Sequence, residues 1–304
     1  MLDPRRLRLL REFANRGSIA AAADALGYTA SAVSQQLVAL EKEAGLALLD
    51  RTARSATLTD AGRRLVGHTE VILTAIEAAE SDLAAHSGTP SGQVVVTAYP
   101  TAAVALAPPV AHRLRRHSAL TLQLRQAARQ ESLDQVRSAE ADIALIDDWS
   151  GVELPATAGG LSWQFLCHDP LMLVVPTGHP LVGTGPVHLS DIEDESWIMG
   201  LESEQSRKAL DRLLLAEGRH PQTRWEFEGL DTMITLVARG LGITVAPRMA
   251  VVDRHYRVDM CDLATPGGRN VYAVYRTASA RRPAVAVVLD LLVAAAKQAH
   301  LTAV

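Results

Sequence analysis

Residues 18–52 read SIAAAADALGYTASAVSQQLVALEKEAGLALLDRT. The first third of this stretch predicts a short helix that Ser18 caps and Gly27 ends. Two residues further on, a second helix is predicted over 30–44, with Gly45 as its stop. Two short helices joined by a tight turn that contains glycine form a helix-turn-helix arrangement.

The flanking residues extend this arrangement on both sides. Before it, 4–16 predict a helix that buries Leu7, Leu10 and Phe13 and stops at Gly17. After it, 46–58 predict an apolar hook and a short hairpin with arginines and small residues at its tip, where a loop can approach a phosphate backbone closely. Such a hairpin is a wing, and Thr59 then caps a long helix.

The predicted helix over 30–44 has two different faces. Val33, Leu37 and Leu40 recur at helical spacing and should pack inward. The opposite side near the N-terminus is small or polar and carries no acid; it consists of Ala30, Ser31, Ser34, Gln35 and Val38. A helix that enters the major groove presents its N-terminal residues to base edges, where Gln pairs with adenine. An ordinary solvated helix face remains the alternative for these residues alone.

The charge is unevenly distributed along the 304 residues. The chain as a whole has a net charge of -4, which argues against nucleic acid as a partner. Residues 1–64, however, carry ten basic and seven acidic side chains, or +3, whereas 65–304 carry 20 and 27, or -7. A basic amino-terminal part on an acidic remainder reverses the first inference.

Several features place the protein among cytoplasmic chains. Cys167 and Cys261 form no disulfide framework and have no metal-ligand spacing, so we expect no metal and no cofactor. The N-terminus has charge and proline where a signal peptide needs an apolar core. The longest apolar run, 284–296, is broken by Asp290 and is too short to span a bilayer, so no membrane partner is expected.

The long helix carries a seam of apolar or small residues at heptad-like spacing. Its members are Leu65, Thr69, Ile72, Ile76, Ala79 and Leu83. A seam of this kind needs a partner helix, and it predicts a homodimer or a homotetramer.

The remainder alternates strands and helices. Strands at 94–98, 120–125 and 142–146 with helices at 100–117 and 131–139 predict a parallel sheet covered on both faces. A second unit has strands near 163–166, 171–175 and 243–246 and helices near 203–217 and 231–239. Residues 271–275 then predict a strand returning to the first unit, followed by a helix over 283–299. Ligands bind at the carboxyl ends of strands in such sheets.

The amino-terminal pattern resembles the winged helix-turn-helix of LysR-type transcriptional regulators. The resemblance covers about 65 contiguous residues and rests on spaced positions in 18–23, 31–37, Leu40-Glu41, Gly45, 49–52 and 58–62. It implies double-stranded DNA as a partner, with RNA polymerase as a further candidate. The family often has a basic residue where this chain has Gln35, and often Gln where it has Ala30, so this chain should read a different DNA sequence.

The residues expected to bind DNA come from the helix-turn-helix and the wing. They are Ser18, Thr29, Ala30, Ser31, Ala32, Ser34, Gln35, Arg51, Thr52 and Arg54, with Ser31, Ser34 and Gln35 at base edges and Arg51, Thr52 and Arg54 at phosphates.

The resemblance also implies a body similar to periplasmic solute-binding proteins, with a small-molecule effector between two lobes. The candidate effector residues lie at strand-to-helix turns and at the lobe crossing. They are Pro100, Thr101, Ala102, Arg129, Gly200, Leu201, Glu202, Leu230 and Asp231. Arg129 can bind a carboxylate, whereas acids such as Glu202 and Asp231 favour an effector that carries an amine; both classes stay open.

The expected fold class is therefore α/β, with an N-terminal winged helix-turn-helix, a long linker helix and a C-terminal two-lobed α/β effector-binding domain. The expected domains are 1–59 for DNA binding, 60–90 for the linker and dimerisation helix, and 91–304 for effector binding. Lobe I takes about 91–162 and 268–304, and lobe II about 163–267.

Three other functions are alternatives to this one. An enzyme is disfavoured because the sequence contains no GxSxG, Walker A, HExxH or kinase signature, and no catalytic residue is assigned. A cysteine redox switch is disfavoured because 200–210 contain no Cys. A body that serves only for oligomerisation would differ from an effector-binding body by showing no ligand-dependent stabilisation.

Overall fold

The computed structural model describes residues 1–52, 55–87, 90–151, 154–192, 195–218, 223–251 and 256–301. The chain divides into two compact units. The first consists of Met1–Thr89 with Ala278–Arg282, and the second of Pro90–Thr277 with Pro283–Val304. The helix-turn-helix and the linker helix thus belong to one unit, although the sequence suggested separate segments.

Three helices open the first unit: α1 (Pro4–Arg16), α2 (Ile19–Leu26) and α3 (Ala30–Ala44). All three have the bounds that the sequence predicts, because each end is fixed by a local residue. Gly17, Gly27 and Gly45 end the helices in the left-handed conformation, with φ near 70°. Their core joins Leu7, Leu10 and Phe13 of α1 to Val33, Leu37 and Leu40 of α3.

The wing is an antiparallel hairpin of β1 (Leu49–Arg51) and β2 (Ala56–Leu58), and it is followed by α4 (Asp60–Ser87). Thr59 joins the two by donating from its hydroxyl to the Ala47 carbonyl at 2.8 Å and accepting from the Gly62 N–H at 3.0 Å. Gly62 lies so close to the Leu48 carbonyl oxygen that a Cβ there would be 2.2 Å away. Helix α4 therefore begins tightly packed on the wing.

The first part of the second unit is lobe I. In chain order it contains β3 (Gly92–Ala98), α5 (Pro100–Leu114), β4 (Leu120–Gln126), α6 (Arg129–Arg137), β5 (Ile143–Asp148) and β6 (Thr157–Ala158). Strand β3 pairs in parallel with both β4 and β5. This confirms the predicted βαβαβ pattern.

The chain then passes into lobe II along one long strand, β7 (Leu161–Pro176). Lobe II continues with β8 (Trp197–Met199), α7 (Gln205–Ala216), β9 (Thr223–Glu226), α8 (Leu230–Ala238), β10 (Thr244–Pro247) and β11 (Val258–Asp262). The chain returns through β12 (Gly268–Arg276) and ends in α9 (Pro283–Leu301).

Strand β7 belongs to both lobes. Its residues up to Pro170 pair with β12, and its residues from Leu171 onward pair with β10 and β11. The sequence predicted two strands here, near 163–166 and 171–175, but the chain continues through Asp169 and Pro170 without leaving the sheet. Strands β8, β9 and β11 were not predicted; they are three to five residues long and depend on pairing with distant strands.

Each lobe buries its sheet between helices. In lobe I, α5 and α9 cover one face and α6 covers the other. In lobe II, β7 directs Leu171, Leu173 and Val175 toward the α7 side and Val174 toward α8, as the two-residue period of a strand requires. In the described part of the chain, no helix combines the length and apolar composition needed to cross a lipid bilayer.

Candidate nucleic-acid interface and effector crevice

The exposed side of α3 forms an open concave surface. Its volume is about 450 Å³, and its lining residues are Ser31, Ser34, Gln35, Val38, Ala39 and Lys42. Ser31 and Gln35 are exposed, whereas Ser34 and Ala32 are half-buried. The surface contains hydroxyl, amide and apolar groups together with one cation, which matches the chemistry of base edges and phosphates.

Ser18 and Thr29 have a defined structural role as helix caps. The Ser18 hydroxyl oxygen accepts from the Ala21 N–H at 3.1 Å, and the Thr29 hydroxyl oxygen accepts from the Ala32 N–H at 3.2 Å. Both residues are exposed, and Ala30 follows Thr29 as the first residue of α3. Capping uses one lone pair of each hydroxyl oxygen, so each hydroxyl keeps its hydrogen and a second lone pair for a contact with DNA.

Arg51 of the wing contacts α3 directly. Its Nη1 donates to Ser34 Oγ at 3.0 Å, and its Nη2 lies 3.6 Å from Glu41 Oε2. About a third of its side chain, 32%, remains exposed. The sequence assigned Arg51 to a phosphate, whereas the structure places its guanidinium between two side chains of α3.

Thr52 closes the tip of the wing. Its N–H donates to the Ser55 carbonyl at 2.8 Å, and its hydroxyl oxygen accepts from the Ser55 N–H at 3.0 Å. Its role is therefore that of a turn residue as well as an exposed hydroxyl. Arg54, which the sequence assigned to a phosphate, lies outside the described residues.

The predicted dimerisation seam on α4 is used in two ways. Leu65 and Ile72 pack against the helix-turn-helix core of the same chain, and Thr69 is fully buried. Ile76 is half-buried, Ala79 is exposed and Leu83 is 74% exposed. The first half of the seam thus contributes to the fold of the unit, because α1 covers it, and only the second half stays available to a partner.

In lobe I, the candidate effector residues lie where β3 and β4 end. Pro100 is exposed at the start of α5, Thr101 is 7% exposed, and Ala102 is fully buried in the core under α5. Ala102 is therefore a packing residue, which corrects its assignment to the effector site. Arg129 donates to the Asp147 carbonyl, and its Nη2 is 3.5 Å from Asp148 Oδ1, so this guanidinium is already engaged.

Beside Thr101 lies a buried arginine that the sequence analysis missed. Arg269 at the start of β12 is 3% exposed. Its Nε donates to Asp169 Oδ2 at 2.9 Å, its Nη1 to Asp147 Oδ2 at 3.0 Å and its Nη2 to Thr101 Oγ1 at 2.8 Å. Two carboxylates and a hydroxyl thus satisfy a guanidinium that burial alone would make costly.

Two aromatic rings flank the same guanidinium. Its central carbon is 4.8 Å from the Tyr99 ring centroid and 5.4 Å from that of Trp149, both within cation–π range. Burial lowers the pKa of Arg269, but Tyr99, Asp169 and Asp147 outweigh it and raise the pKa above the ordinary value. Burial raises the pKa of Tyr99, and Arg269 opposes that shift. The arginine therefore stays charged and the phenol stays neutral.

We call this group the Arg269 cluster; its members are Tyr99, Thr101, Asp147, Trp149, Asp169 and Arg269. Lobe II donates hydrogen bonds to it: Arg212 of α7 donates to the Trp149 carbonyl at 2.9 Å, and the Met249 N–H donates to Asp169 Oδ1 at 2.9 Å. The cluster therefore joins the two lobes. A sequence signal existed in Asp147-Asp148 at the end of a buried strand and in Arg269 after two glycines.

The lobe II candidates form a separate group around the ends of β8 and β9. Arg207 donates to the Gly200 carbonyl at 2.9 Å and to Glu226 Oε1 at 3.0 Å. Glu204 Oε1 accepts from the Gly229 N–H at 3.1 Å, which holds the two loops together.

The remaining lobe II candidates differ in exposure. Leu201 is half-buried, Glu202 is exposed, and Leu230 packs against the α8 core. Asp231 accepts from the Tyr256 hydroxyl. These residues surround a polar rim. The arginine of that rim, Arg207, already donates hydrogen bonds to the Gly200 carbonyl and to Glu226.

Both cysteines are buried and reduced. Burial, with a contribution from Asp169, raises the pKa of Cys167 to about 12. Burial also raises the pKa of Cys261. Neither thiol is therefore an activated nucleophile.

A winged helix-turn-helix joined to a two-lobed α/β body defines a DNA-binding transcriptional regulator with an effector-binding domain. The chain belongs to the LysR family. The model of the "LysR substrate binding domain" matches residues 87–297, and that of the "Bacterial regulatory helix-turn-helix protein, lysR family" matches residues 4–63.

Individual relatives agree with this membership. A "Probable hydrogen peroxide-inducible genes activator" of Mycobacterium xenopi is 34% identical over 58% of this chain and 91% of its own. A "RuBisCO operon transcriptional regulator" of Allochromatium vinosum is 25% identical over 97% of both chains. A full-length OxyR variant from Pseudomonas aeruginosa has a TM-score of 0.70 at 22% identity, covering 96% of this chain and 95% of its own.

Proposed function

We propose that this regulator reads promoter DNA mainly through Ser31, Ser34 and Gln35 of α3. The main support for this proposal is the exposed surface of that helix, which has no acid near its N-terminus and adjoins the wing. The charge of residues 1–64, +3 against -7 for the rest, supports the same assignment because it directs this end of an acidic protein toward the duplex.

The protein acts in the cytoplasm as a homo-oligomer and catalyses no reaction of its own. The exposed second half of α4, which includes Leu83, supports pairing with a second copy. Two paired copies present two winged helix-turn-helix units to a promoter, so each LysR-type chain needs to carry only one.

A small-molecule effector binds between the Arg269 cluster and the rim formed by Gly200, Glu202 and Asp231. Arg129 and Arg269 already bind Asp148, Asp147 and Asp169, so an effector that is only anionic finds no unengaged guanidinium on either. An exposed Glu202 at the opposite rim supports an effector that carries an amine or several hydroxyls.

Several relatives are named as activators of peroxide-inducible genes, but the thiols of this chain do not fit a thiol-based peroxide response. Cys167 and Cys261 are buried, and the pKa of each thiol is raised. A thiol in this state reacts slowly with peroxide, because the thiolate is the nucleophile.

Binding to DNA is tested by fluorescence anisotropy with a duplex selected from a random pool and with a random duplex of equal length. We expect the selected duplex to bind at least about a thousandfold more tightly at physiological salt. Equal affinity for both duplexes would refute sequence-specific regulation. Effector binding is tested by thermal shift on a metabolite panel, where a saturating ligand should raise Tm; a uniformly unchanged Tm would favour a purely structural body.

A further inference from the structure

We infer that Ser34 reads the DNA as a hydrogen-bond donor to a base-edge acceptor, and that Arg51 is the positioning residue that imposes this role. The inference rests on the proposed function, since it concerns how α3 reads the major groove. It assigns to Arg51 a task different from the phosphate contact that the sequence suggested.

The geometry fixes Arg51 between the wing and α3. Glu41 Oε1 accepts from the backbone N–H groups of Leu48 and Leu49, each at 2.9 Å, and so holds the start of β1 against the helix. The other oxygen of Glu41 lies 3.6 Å from Arg51, whose Nη1 reaches Ser34 Oγ at 3.0 Å. The guanidinium is therefore held at both ends by two side chains of α3 that lie about two helical turns apart.

The hydrogen bond from Arg51 determines whether the Ser34 hydroxyl acts toward DNA as a donor or as an acceptor. A serine hydroxyl has one hydrogen to donate and two lone pairs to accept with. Arg51 takes one lone pair, and its positive charge repels any further N–H or amino donor that approaches the same oxygen. Within the residues that the structure describes, the Ser34 hydrogen is bonded to no acceptor, so it remains for the DNA.

In the major groove, this donor selects among bases. Guanine and adenine present N7, guanine also presents O6, and thymine presents O4, all of which accept hydrogen bonds. Cytosine presents an amino donor, which the positive charge of Arg51 beside the Ser34 hydroxyl disfavours. The base opposite Ser34 should therefore be a purine or thymine, and cytosine should be rejected.

The test uses the full-length protein and the selected duplex. Each purine in the binding site is replaced singly by its 7-deaza analogue, and each base pair is replaced in turn. For the wild type, we expect one position where loss of the acceptor weakens binding about 5- to 150-fold, the range for one mismatched base pair. Ser34→Ala should lose a similar factor on the intact duplex and become insensitive to that replacement. Alanine is a good helix former at this surface site, so the variant should fold.

The role of Arg51 is tested separately with Arg51→Lys. Lysine keeps the charge but, with a single terminal ammonium in place of a planar fork, does not hold Ser34 and Glu41 as the guanidinium does. We expect discrimination at the Ser34 position to fall about 5-fold or more, while affinity for random duplexes stays within about twofold. Circular dichroism and Tm confirm the fold of both variants.

Two results would overturn the inference. One is a Ser34→Ala protein that keeps the wild-type sensitivity to acceptor loss. The other is an Arg51→Ala protein that loses equal affinity for selected and random duplexes, with the salt slope reduced by about 0.9, as a phosphate anchor requires. If the wild type itself does not distinguish the selected duplex, the proposed function fails, and this outcome is recognisable before any variant is measured.

Discussion

Arg269 and Asp169 lie opposite each other on β12 and β7, and the guanidinium Nε donates to the carboxylate at 2.9 Å. Strand β7 carries the chain from lobe I into lobe II just after Asp169, and β12 carries it back just before Arg269. The pair therefore joins the two connections between the lobes, at the edge where the effector is proposed to bind.

Replacing Arg269 by Ala should destabilise the second unit by about 3–5 kcal/mol, because Asp147 and Asp169 would be left in the interior without their cation. Urea unfolding followed by circular dichroism measures this change in the free energy of unfolding. The control is Arg239→Ala, at an exposed arginine just after α8, which should stay within about 0.5 kcal/mol of the wild type.

A second variant isolates the cause of that loss. In the Arg269→Ala background, Asp169→Asn removes one unpaired charge but keeps an oxygen that accepts from the Met249 N–H. It should recover about 1–2 kcal/mol. A double variant less stable than Arg269→Ala alone would mean that the ion pair is not what the arginine provides.

Gly62 and Gly67 provide a matched pair on α4. A Cβ at Gly62 would lie 2.2 Å from the Leu48 carbonyl oxygen, whereas a Cβ at Gly67 meets nothing within 4 Å. Gly62→Ala should therefore lower the free energy of unfolding of the first unit by about 1–3 kcal/mol, as overpacking does. Gly67→Ala should raise it by about 0.5–1 kcal/mol, because Ala is the better helix former. Thermal unfolding of the two variants checks this, and equal shifts would show that the wing and α4 are not closely packed.

The buried thiols should react slowly. With a pKa of about 12, against an ordinary value of 9.0, Cys167 has about a thousandfold less thiolate at pH 8 than an ordinary cysteine. Its alkylation by iodoacetamide should rise about tenfold per pH unit up to that pKa, and both thiols should react readily in denaturant. Fast native labelling near neutral pH, followed by mass spectrometry, would contradict this state and reopen a redox role.

The local parts of the fold follow from the sequence. Gly17, Gly27 and Gly45, with the N-caps Ser18 and Thr29, fix helix ends through neighbours in the chain, so α1 to α3 could be predicted to the residue. Strands β8, β9 and β11 could not, because their pairing partners are distant in the sequence.

The candidate site also has one part that the sequence predicts and another part that depends on residues distant in the sequence. The face of α3 follows from helical periodicity, whereas the Arg269 cluster gathers residues that are distant in the sequence, such as Thr101 and Arg269, which are 168 positions apart. The seam of α4 shows a third case. Its spacing is real, but periodicity alone does not reveal that α1 of the same chain covers Leu65 and Ile72.

The most direct test of DNA reading by α3 compares two neighbouring glutamines. Gln35 is exposed on the concave surface, whereas Gln36 accepts a hydrogen bond from Arg6 Nε at 2.9 Å and does not line that surface. The measurement is the ratio of affinities for the selected and the random duplex, by anisotropy at fixed salt. We predict that Gln35→Ala lowers this ratio about 5- to 150-fold, with its effect confined to one base pair, and that Gln36→Ala leaves it within about twofold. Equal ratios for the two variants would contradict the assignment of α3 as the reading helix.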